Sequence, residues 1–290
     1  MPELPEVETI KRGLDSRILG KVIKSITVQN AKSFIGNPKA ATNLQIKSLA
    51  RRGKALIINL SNNQSFIIHL RMTGQLIFVD PTSDRFGGGH PTDSFLANLP
   101  DRHTRVQITF TDNSNLFFND QRKFGFVKLL PTNQIDHEKF FQTLGPDSLD
   151  PTLTPEQFHA RLSKHPNTTI KAAILDQTTL AGVGNIYADE ALFFAKIHPA
   201  RKTSTLTKSE SATLLIGIQR SMQASLDSGG STMATYVKSD GTRGDYLDLF
   251  AQVFGKTNQP CPRCKTPIEK TRVAGRGTHF CPKCQQLQSP

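Results

Sequence analysis

All four cysteines of the chain stand in two pairs, CPRC (Cys261, Cys264) and CPKC (Cys281, Cys284), with sixteen residues between the pairs. No other feature restricts the fold as tightly. Two such knuckles can bring four thiolates to the corners of a tetrahedron around zinc. Two disulfides are the alternative, and a chain that begins with acids, not with the basic-then-apolar run of a secretory signal, is not expected to keep them. The segment is short and charged, with too little apolar surface to fold unaided, so metal binding has to supply its folding free energy. Four cysteines leave no open coordination position. The expectation is one structural Zn2+ and no catalytic metal.

Charge points to the partner. The 290 residues carry 36 Lys and Arg against 24 Asp and Glu, a net charge of +12. Residues 1–131 hold +8 of it, residues 132–253 hold −2 and residues 254–290 hold +6. Basic ends around a near-neutral middle suit a polyanion gripped by two modules, with nucleic acid the first candidate. No apolar run approaches the ~20 residues of a membrane span, so a cytoplasmic protein with no membrane partner is expected.

From Lys21 to Leu130 the pattern is strand-rich: VIKSITV, KALIINL, SFIIHL, QLIFV, RVQITF, NLFF and FVKLL, with a hairpin turn at Asp112–Asn115. Consecutive short strands predict a β-sandwich or barrel. The stretch from Arg85 to His103, with three consecutive glycines, predicts a mobile surface loop. Before the strands, Val7, Ile10, Leu14 and Ile18 recur at helical spacing behind Pro2 and Pro5. After Pro131 the period turns helical, with capping boxes at Thr154–Gln157 and Thr207–Glu210. The last long helix should end near Ser228, and residues 237–245 predict a polar loop. The expected class is α+β in three domains: an N-terminal β-sandwich with flanking helices (2–131), a helical domain (132–253) and a zinc-bound β-hairpin finger (254–290).

Three further motifs carry chemistry. Gly275-Arg276-Gly277-Thr278 predicts a hairpin tip presenting Arg276 to a phosphate, the plain alternative being a solvated turn arginine. AGVGNIYADE lacks dinucleotide-binding spacing and predicts a helix–turn–helix element. There Gly182 and Gly184 permit close approach, helix amides face a phosphate and Asn185 adds a donor; a simple helix connector is the alternative. Removal of Met1 would leave Pro2 a free secondary amine. Attack by that amine on a sugar C1′ gives an iminium, charged at every pH and an electron sink for elimination. Glu3 could then shuttle protons to the opening sugar or the leaving base.

MPELPEVET, RRGK at 51–54, HLRMTG at 69–74, NDQRKFG at 119–125, GVGNIYADE at 182–190 and GRGTHFCPKCQ at 275–285 together resemble bacterial formamidopyrimidine-DNA glycosylase. The resemblance runs in order along nearly the whole chain. It implies a helix-two-turn-helix in the middle domain and a bifunctional glycosylase and AP lyase for oxidised purines in double-stranded DNA, monomeric and nucleoid-associated. It further implies that Pro2 forms the Schiff base, Glu3 is the general acid, Lys54 serves β-elimination and Arg276 serves phosphate binding and δ-elimination. Met72, Arg122 and Phe124, which would otherwise read as core residues where apolar, would fill the gap left by a flipped base. His103, Lys171 and Asn185 match DNA contacts, although His103 is the sole histidine of a segment that in the family often carries two. An endonuclease VIII-type enzyme for oxidised pyrimidines and a non-catalytic zinc-finger DNA-binding protein are the alternatives.

Overall fold

A computed structural model describes residues 1–82, 84–90, 93–95, 97–229 and 250–287. The chain divides into two compact units, residues 1–142 and residues 143–228 together with 250–287. The polar loop expected at 237–245 lies outside the described residues.

The first unit opens with helix α1 (Leu4–Ile18), whose buried face is Leu4, Val7, Ile10, Leu14 and Ile18, the expected helical stripe. Strands β1 (Ile23–Val28), β2 (Phe34–Ile35), β3 (Ile46–Arg52), β4 (Ala55–Leu60), β5 (Gln64–His69), β6 (Gly74–Val79), β7 (Arg85–Gly89), β8 (Thr104–Phe110), β9 (Asn115–Asp120) and β10 (Phe126–Pro131) follow. They form two five-stranded sheets, β1-β8-β9-β6-β7 and β2-β10-β5-β4-β3. One core holds both sheets and α1: Leu56, Ile58, Phe66 and Ile68 come from one sheet, Phe78, Ile108, Phe110 and Phe118 from the other. The sandwich is as expected, with α1 as its flanking helix.

The segment from Arg85 departs from expectation. Its three glycines lie in β7, paired with β6 from Arg85↔Val79 to Gly89↔Gln75. They make a packing seam: a Cβ on Gly88 would strike Ile10 of α1, and one on Gly13 of α1 would strike Phe86. Side-chain absence here brings a helix down onto a strand. Beyond it, Phe95 packs on Ile77 and Phe117, covering the outer face of the sheet. A glycine run therefore reads as a loop from sequence while serving as an interface in the fold.

In the second unit, α2 (Lys139–Gln142) having closed the first, come α3 (Pro155–Leu162), α4 (Ile170–Leu175), α5 (Asn185–Phe194) and α6 (Lys208–Asp227). Both expected capping boxes form, Thr154 with Gln157 and Thr207 with Glu210. These helices enclose a second core around Phe158, Ile174, Tyr187, Leu214 and Ile218. The hairpin of β11 (Glu269–Val273) and β12 (Arg276–Phe280) belongs to the same unit, joined through Phe193, Val253, Cys261, Ile268 and Cys281.

Candidate functional site

Pro2 and Glu3 are buried where the chain enters α1, and Glu3 N donates to Glu6 Oε2 at 2.8 Å. Lys54 is buried in the two-residue turn between β3 and β4, behind Gly53 at φ +55°. Its charge is felt by His69 on β5, which stands opposite Ala55. Burial first, then Arg71 and Lys54, push the His69 pKa down to about 3. The imidazole is neutral, its Nδ1 accepts from Arg71 N at 3.1 Å, and its proton is left on Nε2. His90 follows β7, its N–H on Gly74 O at 3.1 Å and its carbonyl accepting from the Gln75 amide. Burial and then the N-terminal amine hold its pKa down, while Asp120 opposes them.

Asp120 organises the adjoining turns. Its Oδ1 accepts from Thr73 Oγ1 and from Arg122 N (3.1 Å), and its Oδ2 from Gly125 N (2.7 Å). Arg105 Nε donates to its carbonyl at 2.7 Å. One buried carboxylate therefore ties residues 121–125 to the turn that carries Met72. Phe124 is left 56% exposed, with the Arg122 guanidinium 4.9 Å over its ring. A core role for Phe124 is excluded by that exposure; Met72, next to Thr73 in the chain, is half-buried. His103 sits at the base of the same loop, its carbonyl accepting from Asp120 N at 2.9 Å.

In the second unit the turn before α5 is braced by Gln177, which accepts from Gly182 N and donates to the carbonyls of Leu175 and Val183. Gly182 has φ +98°, and α5 starts behind Gly184 with no side chain capping it. The two side chains expected to bind phosphate are engaged on the finger. Asn185 Nδ2 donates to Gly277 O at 2.9 Å. Lys171 is fully buried, paired with Asp189 at 2.6 Å and bonded to Thr278 Oγ1 and Gly277 O. Lys171 thus has no exposed surface, and a carboxylate already stands against its ammonium.

The hairpin tip is Ala274–Gly275, both at positive φ, and Arg276 is the first residue of β12, facing Val273. The turn is centred two residues earlier than the expected Gly275–Thr278 tip, and Arg276 is exposed. The four Sγ atoms of Cys261, Cys264, Cys281 and Cys284 lie within 4.8 Å of one another. Cys284 N donates to Cys281 Sγ, and a hydrogen bond from Thr266 draws the Cys264 thiol down to about 6 against the effect of burial. Four converging soft donors fit zinc. Glu190 accepts three amides leading into the finger, those of Gln252, Val253 and Phe254 at 2.8 to 3.0 Å. Burial nonetheless holds its pKa above the usual carboxylate range.

Sequence reasoning missed Asp120, His69, His90, Gln177, Asp189 and Glu190. The last two had a legible signal, since adjacent acids inside NIYADEALFF, an otherwise apolar helix, need internal partners.

Family models match in three consecutive pieces: Formamidopyrimidine-DNA glycosylase N-terminal domain at residues 1–127, Formamidopyrimidine-DNA glycosylase H2TH domain at 144–237, and Zinc finger found in FPG and IleRS at 258–287. With the four converging thiols, the last assigns one structural zinc ion to the finger. Formamidopyrimidine-DNA glycosylase of Enterococcus faecalis is 40% identical over 99% of this chain and 98% of that protein. Among solved structures, the Lactococcus lactis enzyme in complex with abasic-site DNA superposes with TM-score 0.85 at 35% identity, over 98% of this chain and all of that one. A mutant of the Lactococcus lactis enzyme bound to DNA containing Fapy-dG gives the same score and identity over 99% of this chain and 100% of that one. The chain belongs to the formamidopyrimidine-DNA glycosylase family.

Proposed function

We propose that Pro2, freed by removal of Met1, is the nucleophile of this DNA glycosylase and AP lyase of base excision repair. Its nitrogen bonds to C1′ of the damaged nucleotide as the bond to the base breaks, and Glu3 supplies the proton that the leaving base or opening ring oxygen takes up. The resulting iminium acidifies the C2′ hydrogen. Loss of that proton expels the 3′-phosphate, with Lys54 serving this β-elimination, and a second elimination expels the 5′-phosphate. Arg276 binds a DNA phosphate and serves that δ-step. Asn185 and the start of α5 meet the backbone, and His103 touches it near the wedge.

The observation that carries the reading is the exposed Phe124 with Arg122 stacked on it. A large aromatic held in water on a rigid turn suits insertion into a base stack, where an apolar wedge offsets the cost of unstacking. Met72 completes the filler, and Arg122 faces the orphaned cytosine. The substrate is double-stranded DNA bearing oxidised purines (8-oxoguanine and formamidopyrimidines) or abasic sites. Labour divides as catalysis in 2–131, DNA grip in 132–253 and the zinc finger in 254–290. The enzyme works as a monomer in the cytoplasm at the nucleoid; among the described residues no helix is long and apolar enough to cross a membrane.

Borohydride trapping tests the nucleophile. A chain whose Pro2 nitrogen is blocked by an uncleaved N-terminal tag should fold, bind zinc and bind lesion DNA, yet form no trapped adduct. Robust trapping by the blocked chain, or an adduct mapped to Lys54 by mass spectrometry, would falsify the assignment.

A further inference from the structure

Two side chains from different helices end on one backbone atom. Lys171 Nζ, on α4, and Asn185 Nδ2, on α5, both donate to Gly277 O, at 3.0 and 2.9 Å. Lys171 also donates to Thr278 Oγ1 at 2.7 Å, and the Thr278 hydroxyl donates in turn to the carbonyl of Arg276 at 3.0 Å. Asp189 takes the third ammonium proton on Oδ1 at 2.6 Å, and its Oδ2 accepts from His279 N at 2.9 Å. Gly277, Thr278 and His279, three consecutive residues of β12, are therefore each bonded to α4 or α5. Among the described residues, the three protons of Lys171 meet three acceptors, and Asp189 balances its charge.

Among the described residues, the other side of Arg276 has no such hold. Ala274 and Gly275 form an exposed tip, and a two-stranded hairpin is marginal by itself. The direction in which Arg276 leaves the backbone is then set by the strand that follows it. We infer that Lys171, with Asp189, is a positioning pair that fixes β12 and so aims Arg276, and that Lys171 does not itself touch DNA. This rests on the reading of Arg276 as a phosphate ligand.

The test uses the full-length, zinc-loaded enzyme in two variants. Lys171→Met with Asp189→Asn removes both charges together, so no unpaired buried charge remains. Thr278→Val removes the hydroxyl that links the Lys171 ammonium to the Arg276 carbonyl while leaving the Lys171–Asp189 pair in place, and decides the matter should the double variant not fold. In either, amide exchange at residues 276–279 should quicken by about tenfold or more with zinc retained. The δ-elimination product should fall about tenfold, and the salt slope of DNA binding should drop by about one, as in Arg276→Ala. Trapping of the abasic-site adduct should stay within about threefold. Adding Arg276→Ala to either variant should bring no further loss, because both changes act on one contact. Losses that multiply would show Lys171 meeting phosphate in its own right and overturn the inference, as would unchanged exchange at 276–279. A normal δ-product and salt slope in Arg276→Ala alone would sink the phosphate reading of Arg276, while the exchange measurement still decides whether the pair holds the strand.

Discussion

His69 has Lys54 and Arg71 acting on it, and burial with those charges brings its pKa to about 3. An unfolded histidine titrates near ~6.5, so between those values the unfolded chain takes up a proton that the fold refuses. Above pH ~6.5 the group is neutral in both states and changes nothing; as pH falls toward 3 the fold loses stability, by roughly 5 kcal/mol in all at the acid end. His69→Gln should flatten the dependence of Tm on pH over that window, read by calorimetry on the two proteins; an unaltered slope would exclude His69 as the acid-sensitive group. Glu3 calls for a different measurement. In Glu3→Gln the Pro2 amine survives, so trapping at a pre-formed abasic site should persist while single-turnover excision of an intact lesion falls by about 10²–10⁴. Equal losses on both substrates would deny Glu3 a role specific to base departure.

The elements show which parts of the fold a sequence reveals. Strands β1, β4, β5, β6, β8, β9 and β10 were legible because their apolar residues crowd a shared core. Strand β3 was not, since it is a sheet edge whose Lys47, Arg51 and Arg52 leave no clear alternation. β7 was hidden for the opposite reason, having glycines where a pattern would be written. Gly88→Val should force Ile10 aside and cost about 1–3 kcal/mol, seen as a lower urea midpoint with an unchanged slope. The site divides along the same line. The cysteines, Pro2 and the Arg276 turn are local signals, whereas Lys171 meets Thr278 from 107 residues away and Asp120 meets Thr73 from 47. At the wedge, changing Met72, Arg122 and Phe124 together to alanine should cripple excision from duplex DNA. Cleavage of a pre-formed abasic site should suffer less, because little stacking is left to overcome; parallel losses would point to a folding defect.

At the scale of the molecule, each compact unit has its own core, and only one depends on metal. Removing zinc by chelation, or by Cys281→Ser, should abolish DNA binding and lower the melting of residues 143–228 and 250–287 while the sandwich keeps its own transition. A single merged transition in the metal-free protein would contradict that independence. Asp189 and Glu190 make the remaining point. Neighbours on one helix, they are both committed to the C-terminal module, Asp189 to β12 and Glu190 to the amides of residues 252–254. A finger transplanted alone from a relative would arrive without the carboxylates that seat it and would strand two buried acids in the recipient. Chimaeras between members of the family should therefore be cut upstream of Lys171, so that α4, α5 and the finger travel as one graft.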